Sequence, residues 1–260
     1  MYNSLIMTPD TAPSAYPQAE SQQPVGMSEG SRLAGVFFEP KKAFTDIAAR
    51  PRFIVPLILM ILMGIGVATL YSQKGVMRIA AEQQMANNPQ IQQLAPDQKA
   101  QALERGMKIT TIIGYCIPIL IPVSYLVMAL VLWAIVSGIL SAPVRFGQVF
   151  AIVTYAQLPS LLMSILAVIV LQLKGPADFN VQNPLMFNPG AFMDPQSSPK
   201  FIYSIASSLD LFTIWVLLLV ATGLKAAGGK RISFGGALFA VMLPWAVIVL
   251  GKAALAGLTG

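Results

Sequence analysis

Five long apolar runs divide this chain from residue 53 onward, set apart by polar intervals of unequal length. They fall at about residues 53–71, 110–140, 146–173, 201–224 and 232–255. Each approaches or exceeds the roughly 20 residues that carry a helix across a bilayer core of about 30 Å. The pattern predicts five membrane-spanning helices. Pro56 suits the first turn of the first span, and the Gly64/Gly66 pair predicts close helix contact there. Pro118 and Pro122 are expected to break the second. The third would extend roughly 40 Å as one straight helix, more than a single span needs. Gln148, Thr154 and Gln157 in its first half, with Pro159 after them, predict an amphipathic, kinked first part followed by the span proper.

The intervals between the runs differ in kind. Residues 1–30 are rich in Pro, Gln and Ser without apolar periodicity, and are expected to be a disordered cytosolic tail. They lack the basic and apolar regions of a signal peptide. Residues 31–52 (SRLAGVFFEPKKAFTDIAARPR) predict a juxtamembrane amphipathic helix, started by Pro40 and stopped by Pro51. Phe37, Phe38, Phe44 and Ile47 would lie apolar face down in the headgroup region, with Lys41 and Lys42 above. An ordinary structural cap on the first span is the alternative. Residues 72–108 predict two extramembrane helical pieces joined by a turn at Asn87-Asn88-Pro89, the second starting near Ala95-Pro96. Residues 174–200 contain five prolines and predict an irregular loop.

Lys and Arg near the span ends favour an amino terminus on the inner side. The inner side would hold nine basic residues in short segments, against eight on the outer side, five of them in or beside the long 72–108 interval. Five spans then place the carboxyl terminus outside. The stretch from Trp133 to Pro159 also echoes that from Trp215 to Pro244, which suggests a duplicated helical hairpin.

Composition agrees with an all-α integral membrane protein, a five-helix transmembrane bundle occupying about residues 53–258. The chain is 55% hydrophobic and only 11% charged, where a soluble domain carries about 25% charged residues. Mean hydropathy is +0.67. The net charge of +6 is spread along the chain, so no nucleic-acid partner is expected. No histidine is present, which removes His-based acid–base catalysis and most zinc chemistry, and the single Cys116 allows no internal disulfide. No nucleotide-binding glycine motif occurs. No catalytic residue, metal or cofactor is therefore expected. A homo-oligomer is left open, without a motif in its support.

One residue stands out. Asp210 opens the apolar run in SSLDLFTIWVLLLVATGL (residues 207–224). Tyr203, Ser207, Asp210 and Thr213 share one side of a helix at spacings of four, three and three. A carboxylate among lipid-spanning residues should face protein or water. Tyr155, Gln157, Thr154 and Gln148 of the third run are its candidate partners, so an intramembrane polar cluster is expected. Two roles stay open: knitting helices together, with capping of a break near Ser207-Ser208, or binding a cation or relaying protons.

Three segments in order resemble the Yip1-domain membrane proteins. FFEPKKAFTDIAARPRFIVPL (residues 37–57) is similar to that family's aromatic-Pro segment before the first span. TYAQLP (154–159) resembles its Tyr-x-x-x-Pro signature, and LDLFTIW (209–215) its Asp-to-Trp pattern. The resemblance covers roughly residues 31–255 and implies five spans with a cytosolic amino terminus. Eukaryotic members are associated with vesicle traffic and Rab-type GTPases at the Golgi and ER. The glutamine-rich and proline-rich intervals depart from that compact core, which points to a bacterial member in the cytoplasmic membrane. The expected function is a noncatalytic organiser of membrane proteins or lipids, with protein partners reached through the tail. The alternative is a small-solute or ion transporter using Asp210.

Overall fold

The computed structural model describes residues 26–86, 89–176, 178–180, 183–194 and 197–259. The expected tail falls outside them, except for its last five residues. Every regular element among the described residues is helical: α1 (Glu29–Phe38), α2 (Pro40–Ala49), α3 (Ile54–Gln73), α4 (Val76–Ala86), α5 (Pro89–Gln92), α6 (Pro96–Ala134), α7 (Phe146–Ala156), α8 (Leu158–Lys174), α9 (Lys200–Ser208), α10 (Leu211–Gly228) and α11 (Phe234–Thr259). Five segments are long and apolar enough to cross a membrane: 54–73, 96–139, 146–174, 211–231 and 234–258. The protein is an all-α, multi-pass membrane bundle.

The segment expected as one amphipathic helix is a helical hairpin. Ser28 caps α1 by accepting the Ser31 amide at 3.2 Å. The helix stops at Glu39, because the residue before a proline is driven out of helical geometry; Glu39 sits at φ −134°, ψ 57°. Pro40 then starts α2, its missing N–H costing nothing at a first helical position.

The second run behaves differently from its prediction. α6 continues for 39 residues through Pro118 and Pro122. In lipid no water competes for the freed carbonyls, so the helix persists where a soluble one would break. Gly64 of α3 packs on the Pro118 ring, while a Cβ at Gly66 would meet nothing within 4 Å. Only the first glycine of that pair serves contact between helices.

The core is built around α7. Val149 through Ala156 are all buried, none more than 7% exposed. α2 and α10 lie against α7, so the predicted amphipathic first half has no free face. Small residues permit this packing. A Cβ at Gly223 of α10 would lie 2.3 Å from Ile152 Cγ2 and 2.9 Å from Phe44 Cδ1. Gln157 breaks the third run between α7 and α8, just before Pro159. Apolar side chains on α6 and α11, such as Ile119, Leu120, Val247 and Ile248, remain exposed where lipid would cover them.

The duplicated-hairpin echo finds no match in contacts. Trp133 Nε1 donates to Val144 O at 3.0 Å across the turn after α6. Trp215 packs against Phe37 and Phe212 instead. α11 runs unbroken through Pro244.

Gly223→Ala should destabilise the bundle by about 1–3 kcal/mol through overpacking. Gly66→Ala should leave thermal stability in detergent within about 0.5 kcal/mol of wild type. Melting curves of the two variants side by side check both.

Candidate functional site

The structure answers why a carboxylate opens the fourth apolar run. That run is two helices, α9 and α10, and Asp210 sits extended between them at φ −79°, ψ 142°. Four amides at the start of an α-helix lack partners within it. Leu211, Phe212 and Thr213 find partners outside the helix ladder, and Ile214 makes the first bond of the ladder itself. Asp210 Oδ1 accepts from Phe212 N at 2.8 Å and Thr213 N at 3.3 Å. Ile214 N donates to Asp210 O at 3.0 Å, and Leu211 N to Phe187 O at 3.2 Å. The charge also meets the positive end of the helix dipole.

The proline-rich interval is folded onto this break. Gly190 lies so close that a Cβ there would be 2.8 Å from Ser207 N. Asn188 Nδ2 donates to Asn183 Oδ1 at 2.9 Å inside the loop, and both side chains are buried. Phe187 packs against Phe212, ring centroids 6.1 Å apart. Ser207 Oγ donates to Tyr203 O within α9, and Tyr203 faces a cleft lined also by Lys174, Asp178 and Asn183.

The expected polar partners of Asp210 are engaged elsewhere. Tyr155 donates its hydroxyl to Glu29 Oε2 of α1. Thr154 Oγ1 bonds back to Phe150 O at 2.8 Å. Gln157 Oε1 accepts from Ser160 Oγ at 3.3 Å. Gln148 Nε2 donates to Ala48 O at 2.8 Å, tying α7 to the end of α2. Asp210 thus meets Thr213 through the cap, Ser207 bonds to Tyr203 within α9, and Tyr155 bonds to α1 instead. The single intramembrane cluster is divided because the Asp210 carboxylate is already occupied by its own helix.

The second site is ionic, and its centre is Arg32, only 2% exposed. Its Nε and one terminal nitrogen both meet Asp46 Oδ2 at 2.7 Å. The other terminal nitrogen lies 3.4 Å from Glu29 Oε1. Asp46 Oδ1 accepts the Met27 amide at 3.2 Å and is also met by Arg50. Arg52 stands 3.8 Å from Glu29. Burial would push the Asp46 carboxyl up, but the Met27 amide, Arg32 and Arg50 outweigh it and hold it below the usual carboxylate range. Burial likewise works against the Arg32 cation, and the Asp46 contact overcomes it.

The helix expected at the lipid surface belongs to this site. Phe44 and Ile47 are fully buried against protein, and Phe37 packs edge-on against Trp215 at 5.7 Å. Phe38 is 84% exposed, and Lys41 and Lys42 are exposed, Lys42 reaching Glu39 at 3.0 Å. The apolar face thus turns into the bundle, because the ionic contacts hold α1 and α2 over α7. Glu29, Arg32 and Asp46 were not singled out from sequence. The signal available was the pair of local charge spacings, Glu29/Arg32 at i, i+3 and Asp46/Arg50 at i, i+4.

No group of three or more metal-ligating side chains occurs among the described residues. A family model described as the Yip1 domain matches residues 34–255. No curated protein and no solved structure matches the chain.

Asp210→Ala should cost about 0.5–2 kcal/mol of stability, and Asp210→Asn much less, since Asn is an equally good cap. Thermal melts in detergent separate the two. Asp46, with its carboxyl held low in the fold, contributes stability that is present above the unfolded value of about 3.9 and lost as pH falls through the folded one. A melting series from pH 6 downward should show a shallower acid loss in Asp46→Asn than in wild type.

Proposed function

We propose a role that starts from one premise, that the chain belongs to the Yip1 domain family. The protein is a multi-pass membrane protein, and its work is to organise other membrane proteins or lipids without catalysing a reaction. The amino terminus lies on the cytosolic side and the carboxyl terminus outside, in a bacterial cytoplasmic membrane. Residues 1–25 serve as a docking segment, tethered to a rigid base.

The observation that carries this reading is the ionic seat of the α1–α2 hairpin. A tail leaving a loose surface helix transmits nothing to the bundle. A tail leaving a hairpin locked by Arg32, Asp46 and Glu29 ends on a fixed platform, with Phe38, Lys41 and Lys42 presented at the tip. An exposed aromatic side chain on a rigid element suits a partner surface. Support for this over a carrier comes from Asp210, whose carboxylate caps α10 through its helix amides. Clefts among the described residues lie between α4 and α6 and beside the 174–193 loop.

The test is co-purification in mild detergent, comparing the full chain with one lacking residues 1–25. That cut preserves the Met27 amide, the Ser28 cap and Glu29. A partner held by the full chain and lost with the tail is the expected result. Equal retention by both, or no specific partner with either, would sink the proposal.

A further inference from the structure

The end of the bundle opposite the α1–α2 hairpin carries a feature that the role above does not use. α4, α5 and the first turns of α6 stand beyond the spans there and enclose a cleft of about 500 Å³. That volume lies within the range of sites that hold small ligands. Its lining has two chemistries, set by helical spacing. Ala102, Gly106 and Ile109 fall at i, i+4 and i+7 and form an apolar floor. Gln98, Gln101 and Arg105 fall at i, i+3 and i+7 and form a polar edge. The floor is lined by small residues: a Cβ at Gly106 would just touch α4, 3.7 Å from Ala81 Cβ and 4.0 Å from Met85 Sδ.

Two further observations select the occupant. The first is continuity with lipid. Ile109 is 57% exposed and begins a row of exposed apolar side chains, with Ile112 and Ile113 next, that runs down α6 into the span. The cleft therefore opens at one end onto the surface that lipid covers. The second is charge. Lys108 and Arg78 are neutralised by Glu104 and Glu82, each at 2.8 Å. Arg105, on the cleft edge, has no ion-pair partner among the described residues.

We propose that this cleft binds an anionic phospholipid of the adjacent leaflet, partly lifted from the bilayer. Its phosphate meets the Arg105 guanidinium, with the Gln98 and Gln101 amides as further donors. One acyl chain follows Ala102, Gly106 and Ile109 down into the membrane. The dimensions agree. Ala102 to Ile109 rises roughly 10 Å along the helix, and the exposed Ile112 and Ile113 continue the track into a hydrocarbon leaflet of about 15 Å. The lipid keeps its ordinary sense, head outward and tail inward.

Native mass spectrometry of the full chain tests this with phosphatidylglycerol and phosphatidylcholine of identical chains. Wild type should retain the anionic lipid in preference. Arg105→Gln should reduce that preference by about tenfold, the factor set by loss of one hydrogen-bonded charge contact. Lys108→Gln removes the same charge nearly one helical turn further on, outside the cleft, and should change little. Ala102→Leu, which fills the floor, should lower retention of both lipids. Melting temperatures of the three variants report whether each remains folded. Equal retention of the two lipids by wild type overturns the proposal. So does an equal effect of Lys108→Gln and Arg105→Gln, or unchanged retention in folded Ala102→Leu.

Discussion

A guanidinium removed from water must be met by anions placed around it, and Arg32 imposes that requirement on the amino-terminal third of the protein. Its partners come from both arms of the hairpin: Glu29 from its own helix and Asp46 from α2. Glu29 in turn receives the Tyr155 hydroxyl, which extends the network into α7. Once these contacts form, α2 can lie only over α7 and α10. Phe44 and Ile47 then fill the space against Ile152 and Gly223, and α7 loses its last free face. Removing either charge of such a pair leaves the other buried and uncompensated, which typically costs about 3–5 kcal/mol.

The same logic governs a second ionisable group near the membrane. Asp210 is accommodated by converting a continuous span into two helices, so that the first amides of α10 and a folded loop surround the break. The three segments that carry the family resemblance meet through these two solutions. Phe37 of the first touches Trp215 of the third, and Tyr155 of the second reaches Glu29 at the start of the hairpin. Asp210, five residues before Trp215, sets where α10 begins. The motifs are the contact points of one packing arrangement.

Much of this was legible in the sequence, because apolar run length maps onto span number almost directly. The five spans, the kink before Pro159 and a helix start at Pro96 all follow from local chemistry. Capping by Asp210 of a break near Ser207-Ser208 is one of the two roles that the sequence leaves open, since Asp before an apolar run is a helix-start signal wherever it occurs. The break falls at Leu209-Asp210. What the pattern could not reveal was which apolar faces meet protein and which meet lipid. Phe44 and Val247 look alike in a sequence, yet one is buried and the other is 63% exposed. Lipid and protein interior are equally apolar, so hydropathy carries no information about that choice. The Arg32–Asp46 contact was hidden for another reason, being made between residues 14 apart across a hairpin whose turn at Glu39-Pro40 read as a helix start.

The most direct test of the account is hydrogen–deuterium exchange of residues 29–49 in lipid nanodiscs, comparing wild type with Arg32→Met. If the ionic seat holds the hairpin on the bundle, wild type should show slow exchange through Phe44–Ala48, close to that of α7. Arg32→Met should then expose that stretch while the five spans stay protected. Exchange that is fast in wild type, or unchanged in Arg32→Met, would mean that the hairpin is held by something other than this buried charge.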